Sequence, residues 1–471
     1  MNTDNLKNIN SALFDIIRAV KHPIKYIIFG GYMKKVMLGI LMLFLCAIPA
    51  HAAFVFDRYV GQEVTAFSAH SLAMGSTGLA TGYGPLASLK NPALLGNLPF
   101  KFMVQFTPDV TKNNENRAFP IFDSFDSYID DAVYASNAHF FSKYLLGLMY
   151  NVPVQQFKIS AAYSYVPLYD FNFKYTEEVR NNEGTDYGNE PHKIATNTYN
   201  GSGMIYAHTP AVAVTFENES SFFKSLTLGA SLSLIKGDNT IDSTIIFTPW
   251  AKEQMENDPD SIPDLIFQKK NTYSGQRFQA GLLLDLGERF KIGMNYTSRA
   301  KLDKSFKTSA DTAWADTTIY YPSRIGLGFE YHPRNIWDTH FSFEISYVKW
   351  SDYNPLWYDV IEYYAGVEHR IFNTQPIRLG FRYQPFGMDK EIVMTAFSAG
   401  TSITLPYNFI LDLGAEIGKF NYRHADLFPD SYYANDNLWD TAFSDLPVDR
   451  TNPDKVQDVL INFMATLTWR F

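Results

Sequence analysis

The sequence predicts an all-β fold, a transmembrane antiparallel β-barrel of about 14 strands with an N-terminal plug, or hatch, in its lumen. Three observations lead there. Aromatic residues abound in a chain that is not greasy overall, apolar residues recur on a two-residue period, and the connections sort into short and long sets. Of 471 residues, 16% are aromatic, with 30 Tyr and 38 Phe, while 19% are charged and mean hydropathy is −0.17. Apolar and polar residues must therefore interleave, as on a strand with one face in lipid and one in water.

The last segment carries the period most plainly. Val459, Ile461, Phe463, Ala465, Leu467, Trp469 and Phe471 alternate with a mostly polar set. The same alternation runs through Phe278-Ala280-Leu282-Leu284-Leu286 and Phe290-Ile292-Met294-Tyr296, with Lys291, Gly293 and Asn295 between the latter. Ile325 to Tyr331, Phe341 to Tyr347, Ile377 to Tyr383 and Phe409 to Ile417 repeat it, as do the earlier runs beginning at Phe157, Val212 and Leu226. Short turns are expected near Pro153, Gly287, Asn335, Thr374 and Pro406. Long polar connections are expected over 108–143, 176–203, 247–276, 308–323, 351–362 and 425–458. A soluble β-sandwich would alternate too, but its loops would not sort in this way. An even strand number puts both termini on one side, the periplasm of a bacterial outer membrane.

Upstream of the strands, Met33-Lys34-Lys35, the apolar run Val36–Ile48 and Ala50-His51-Ala52 follow the order of a secretory signal peptide cleaved before Ala53. The expected organisation is thus an upstream extension at 1–32 that is not part of the true protein, a signal peptide at 33–52, a hatch at 53–98 and the barrel at 99–471. The single cysteine, Cys46, falls in the signal peptide, so the mature protein would have no disulfide, thiolate metal site or cysteine nucleophile. The net charge of −9, without a basic cluster, argues against nucleic acid.

Residues 61–99 do not alternate and are rich in small residues, which lets backbone pack closely in a confined space. Pro92 is expected to open a short helix capped by Asn91. Ala73-Met74-Gly75-x-x-Gly78-x-Ala80, followed by Asn91-Pro92-Ala93-Leu94, resembles the N-terminal hatch of the FadL superfamily. That superfamily comprises outer-membrane channels for long-chain fatty acids and aromatic hydrocarbons, and PorV-like proteins of secretion systems. The resemblance rests on Met74, Gly75, Gly78, Asn91, Pro92 and Ala93. It implies passive uptake of a hydrophobic small molecule, bound in the lumen and released sideways through an opening in the wall. The alternative is a PorV-like binding or shuttle protein that docks a protein partner at its loops and transports nothing.

Polar residues on lumen faces are the candidate ligand contacts. Arg378, Arg382 and Arg370, with Glu344, Asp412 and Glu416, are expected to point inward, and Glu368, Lys158 and Lys291 with them. The arginines could hold a ligand carboxylate, or pair with the acids to fill the lumen and anchor the plug. Leu467, Trp469 and Phe471 at the C-terminus resemble the signal read by the barrel-assembly machinery, and lipid of the outer membrane is the other expected partner. The oxygen-rich stretches Asp123–Asp131 and Glu256–Asp260 lack EF-hand spacing and read as solvated loops. The histidines show no zinc spacing, and Gly201-Ser202-Gly203 reads as a flexible loop without the G-x-S-x-G elbow. No metal, cofactor or enzymatic activity is expected.

Overall fold

The computed structural model describes residues 60–154, 157–181, 192–218, 224–255, 264–287, 289–335, 338–371, 375–434, 438 and 453–471. The expected extension, signal peptide and first hatch residues lie outside them, as do the Glu256–Asp260 stretch and the turn at Thr374.

Fourteen antiparallel strands close into a barrel. In chain order they are β1 (Phe102–Phe122), β2 (Tyr128–Val154), β3 (Phe157–Asp170, continued by Phe173–Arg180), β4 (Lys193–Glu217) and β5 (Ser225–Phe247). There follow β6 (Leu265–Leu286), β7 (Phe290–Thr297 and Ala300–Thr308), β8 (Ala315–Tyr321 and Ser323–Tyr331), β9 (His340–Lys349) and β10 (Val360–Ile371). The last four are β11 (Gln375–Pro385), β12 (Val393–Leu405), β13 (Phe409–His424) and β14 (Asp454–Arg470). Closure is made by β14 on β1, with Trp469 opposite Val104 and Phe463 opposite Val110. Phe102 and Phe471 exchange both backbone hydrogen bonds at 2.9 Å, so the final residue completes the seam. Trp469 there stacks on Phe409 and meets Phe102 edge-on.

The period of two becomes an inside and an outside. Leu146, Leu148, Val212, Leu228, Phe278, Phe341, Leu379, Phe397 and Phe463 all lie exposed. Their lumen-facing neighbours are buried and mostly polar; β1 alone contributes Gln105, Thr107, Asp109, Thr111, Asn113, Glu115 and Arg117. A greasy exterior around a polar interior is the inverse of a soluble protein and suits lipid.

The expected long connections are corrected. Residues 108–122 and 128–143 are strand, paired as far as Phe122 with Tyr128. Likewise Asn239 pairs with Asn271 and His424 with Asp454. Past the apolar band both faces meet water or other polar groups, so the period fades while the backbone ladder continues. Gly201-Ser202-Gly203 is likewise strand rather than flexible loop, paired with Thr240 and its neighbours within β4 and β5. A Cβ on Gly201 would press on the Phe171 carbonyl, so glycine there permits a close approach. At this long-connection end, Phe428 and Tyr433 cover Phe173, Tyr175 and Phe247 in an apolar cluster, with the Tyr433 hydroxyl donating to Asn197 at 2.5 Å.

Residues 60–98 pack against inward-facing residues of the strands. They form a short helix α1 (Ala69–Ala73) and two 3-10 turns, Pro85–Leu89 and Pro92–Asn97. Ser68 caps α1, and the Asn91 side chain accepts from the Ala93 amide at 3.0 Å.

Candidate functional site

The N-terminal segment rests on the lumen wall by backbone contact. Lumen-facing glycines recur around the ring and pair across strands, Gly229 with Gly281, Gly293 with Gly328, Gly366 with Gly380 and Gly400 with Gly414. A Cβ on Gly293 would overlap the Leu79 carbonyl, and one on Gly380 the Gly75 amide. On Gly281 it would overlap Asn91, on Gly229 the Pro92–Ala93 backbone, and on Gly414 the Ala69 carbonyl. The belt leaves room for main chain where any other residue would fill it.

Polar side chains of the wall then satisfy the segment's backbone. Glu344 accepts from the Gly78 and Leu79 amides at 2.6 and 2.5 Å. Ser398 accepts from Gly75, which turns with a positive φ of 69°. Asn91 donates to the carbonyls of Leu79 and Leu282 at 2.7 and 3.1 Å, binding the two halves of the segment to each other and to β6. Gln279 donates to Leu89 and Lys90. Met74 and Pro92 sit buried against glycines of the wall. The resemblance residues Met74, Gly75, Gly78, Asn91, Pro92 and Ala93 are therefore all at contacts with the barrel or with the segment itself.

The lumen arginines face inward and are paired with acids. Arg378 donates to Glu368 at 2.5 Å and to Asp412 at 2.9 Å. Arg382 donates to Glu416 at 2.5 Å and to the Thr65 hydroxyl at 3.0 Å. Arg370, half exposed, reaches Glu368 and Asp338. The N-terminal segment joins this network three times, through Thr65, through Tyr83 on Asp412, and through His70 at 3.6 Å from Glu368. Lys291 pairs with Glu330, and Lys158 donates to the Leu98 carbonyl.

Three cations that sequence reasoning did not single out, Lys90, Arg277 and Arg324, line a cavity of about 50 Å³ beside Glu344. Burial draws the Lys90 ammonium down to about 8, against the pull of Glu344. Arg324 is paired with Glu63 at 2.8 Å and Glu362 at 3.3 Å.

The wall is interrupted between β2 and β3. The β2–β3 ladder runs only from Val154–Phe157 to Leu146–Tyr165. Beyond it β3 turns inward, and every residue from Val166 to Phe173 is buried. The ladder of β3 with β4 slips by one residue between Pro167 and Tyr169. From within, Gln62 and Glu63 pair with Asp170 and Tyr169. β2 is stitched back at Asn137, whose side chain exchanges two hydrogen bonds with the Thr176 backbone, and at Lys143, 3.8 Å from Asp170. Pro167 is the local cause legible in the sequence, because it has no amide to give a ladder. An apolar cluster joins this break to the interior: Leu145 and Val166 at the break, Leu168 and Phe171 on the inturned strand, and Val64, Phe67, Leu86 and Leu89 of the N-terminal segment. Trp350 and Trp357 continue it on the far side.

His332 and His340, without zinc spacing in the sequence, are brought to a ring separation of 3.7 Å with Glu330 beside them. They lie one step beyond the Tyr331–Phe341 pair of the β8–β9 hairpin, a proximity set by strand register and invisible to spacing rules. The row Leu467, Trp469 and Phe471 lies on the outer face of the closing strand. The Asp123 carboxylate is engaged by the amides of Phe125 and Ser127 in the turn between β1 and β2.

No protein-family model matches the chain, and no curated protein matches it. Solved structures do. The Pseudomonas putida toluene transporter TodX is 13% identical, the match covering 87% of this chain and 99% of that one, with a TM-score of 0.55. A Pseudomonas aeruginosa FadL homologue is 12% identical, over 87% of this chain and 100% of that one, at 0.54. The Ralstonia pickettii toluene transporter TbuX is 14% identical, over 86% and 99%, at 0.53. Each match covers nearly the whole of the other protein, and at such identity the likeness is one of fold: the chain shares the barrel fold of these three proteins.

Proposed function

We propose that this protein is an outer-membrane channel for passive uptake of hydrophobic small molecules of the fatty-acid or hydrocarbon kind. The observation that carries the reading is the apolar cluster running from the N-terminal segment to the break between β2 and β3. A greasy solute needs no charge relay and no energy source; it needs a path that avoids the polar lumen and ends in lipid. In a lumen lined by Asp109, Glu115, Arg117 and their like, an apolar seam is a route on which such a solute keeps its favourable burial. The neighbours in fold named as toluene transporters agree with this.

In this reading residues 60–98 are the plug. The ion pairs of Arg378 and Arg382 hold it, and the ligand lies against the apolar cluster. The long connections face outward and both termini the periplasm. The outward row of Leu467, Trp469 and Phe471 serves barrel assembly.

Photolabelling tests the reading. The protein, in vesicles, is exposed to a diazirine fatty acid or diazirine hydrocarbon with and without an excess of the unreactive compound. Competed labelling is expected at Val64–Phe67, Leu86–Leu89 and Leu145 or Val166–Phe171. Labelling confined to the lipid band, or not competed, would overturn it, and a lumen without ligand beside a co-purifying protein would favour docking instead.

A further inference from the structure

We propose that Glu330, His332 and His340 form a binding site for one divalent cation of the zinc class, at the short-turn end of the barrel. The three residues come from the two strands of one hairpin, and their ligand atoms lie within 4.8 Å of one another. Glu330 Oε1 is the hub, 2.8 Å from His332 Nε2 and 3.3 Å from His340 Nδ1. Ligands bound at about 2.0–2.2 Å around a tetrahedral zinc stand roughly 3.3–3.5 Å apart. One separation already has that value and the other needs a shift of about half an ångström. Two imidazoles and a carboxylate, with one position left over, are the donor set that zinc takes when it keeps a water.

The surroundings are built as a metal site's surroundings are. A ligating histidine commonly gives its second ring N–H to a carboxylate, which fixes the ring and its tautomer. His340 Nε2, on the side of the ring away from the hub, is 3.4 Å from Asp338 Oδ1. Asp338 is in turn 3.5 Å from Arg370 Nε and stands in the left-handed region at φ 44°. The second oxygen of Glu330 is held by Lys291 at 3.1 Å. That leaves Oε1, and only Oε1, turned to the two rings.

Access is also provided. Glu330 and His340 line a cavity of about 160 Å³ beneath the N-terminal segment, and the two histidine side chains keep 26% and 20% of their exposure. A cation can enter from the short-turn side, with water as its fourth ligand. Bound there, it would clip the β8–β9 hairpin closed beside the lumen mouth. The inference is independent of the transport reading, since it needs only the hairpin.

The test uses the full mature chain without a histidine tag, folded in mild detergent and freed of metal. Calorimetric titration with zinc chloride is expected to give one ion per barrel. His332→Ala and His340→Ala should abolish that binding, and Asp338→Asn should weaken it by about 10–100-fold. Each variant is first checked for a folded barrel by its heat-modifiable gel mobility. Cobalt(II) in the wild type provides a second reading that needs no variant, with the intense visible bands of a four- or five-coordinate ion expected. Absence of zinc binding, zinc binding unchanged in the His332→Ala/His340→Ala double variant, or a six-coordinate cobalt spectrum would overturn the proposal.

Discussion

The wall between β6 and β13 and the wall between β2 and β3 solve opposite problems. On the first side, glycines remove side chains so that the N-terminal segment can lie main chain to main chain, and Glu344, Ser398 and Arg382 bond to it there. On the second side, the ladder stops, β3 turns inward, and an apolar cluster meets the segment between the Gln62–Glu63 bridge and the hydrogen bonds that Asn151 and Lys158 give to Leu98. In the proposed reading, the difference means that holding and opening are separated around the ring. A segment fastened by hydrogen bonds and ion pairs on one side can stay in place while a greasy solute passes on the other.

The comparison can be broken most strongly at the ion pairs. Arg378→Met removes the guanidinium shared by Glu368 and Asp412, and breaking a buried pair typically costs about 3–5 kcal/mol. The urea midpoint of unfolding should fall accordingly, and Arg378→Lys should recover part of it. Next comes the glycine belt. Gly380→Val drives a side chain into the Gly75 backbone, which cannot swing aside, so the loss should reach the ~3 kcal/mol upper range of overpacking. Limited proteolysis should then cut near Met74 in the folded barrel. Third, Glu344→Ala leaves the Gly78 and Leu79 amides without their acceptor, a cost of about 1–3 kcal/mol. Hydrogen exchange at those two amides should quicken while β9 itself stays protected. The smallest effect belongs to the interrupted side. Asn137→Ala removes the side-chain stitch to Thr176, worth about 1 kcal/mol, and should loosen the break without disturbing the N-terminal segment. If Asn137→Ala proves as damaging as Arg378→Met, the two sides are not the separate structures described.

Much of the barrel was legible because lipid imposes a period of two wherever a strand crosses it. Ile377-Leu379-Phe381 and Val459 to Phe471 announce their faces without help from the fold. The same rule failed at Phe102–Phe122 and Tyr128–Val154, whose outer halves rise beyond the band and keep the ladder while losing the period. The inward phase of Arg378, Arg382, Glu344 and Asp412 could be read, but their partners could not, since Arg378 and Asp412 lie on strands separated by β12. The glycine belt left a signal in the sequence, for Gly293 stands in phase with Lys291 and Asn295. That its purpose is to receive Leu79 needs the fold. Pro167 marked the break, yet only the pairing shows which neighbour β3 abandons. The facing of His332 and His340 depends on register, which no spacing rule contains.

The central claim, an apolar path to the β2–β3 break, is tested most directly by filling that path. Leu145 and Val166 are fully buried members of the one cluster, on the two strands that part company. Uptake of a hydrophobic compound should be compared in cells carrying the wild type and the Leu145→Trp/Val166→Trp double variant, each confirmed as a folded barrel by gel mobility. The account expects uptake by the folded variant to fall to the level of cells lacking the protein. Unchanged uptake through a folded, filled barrel would contradict it.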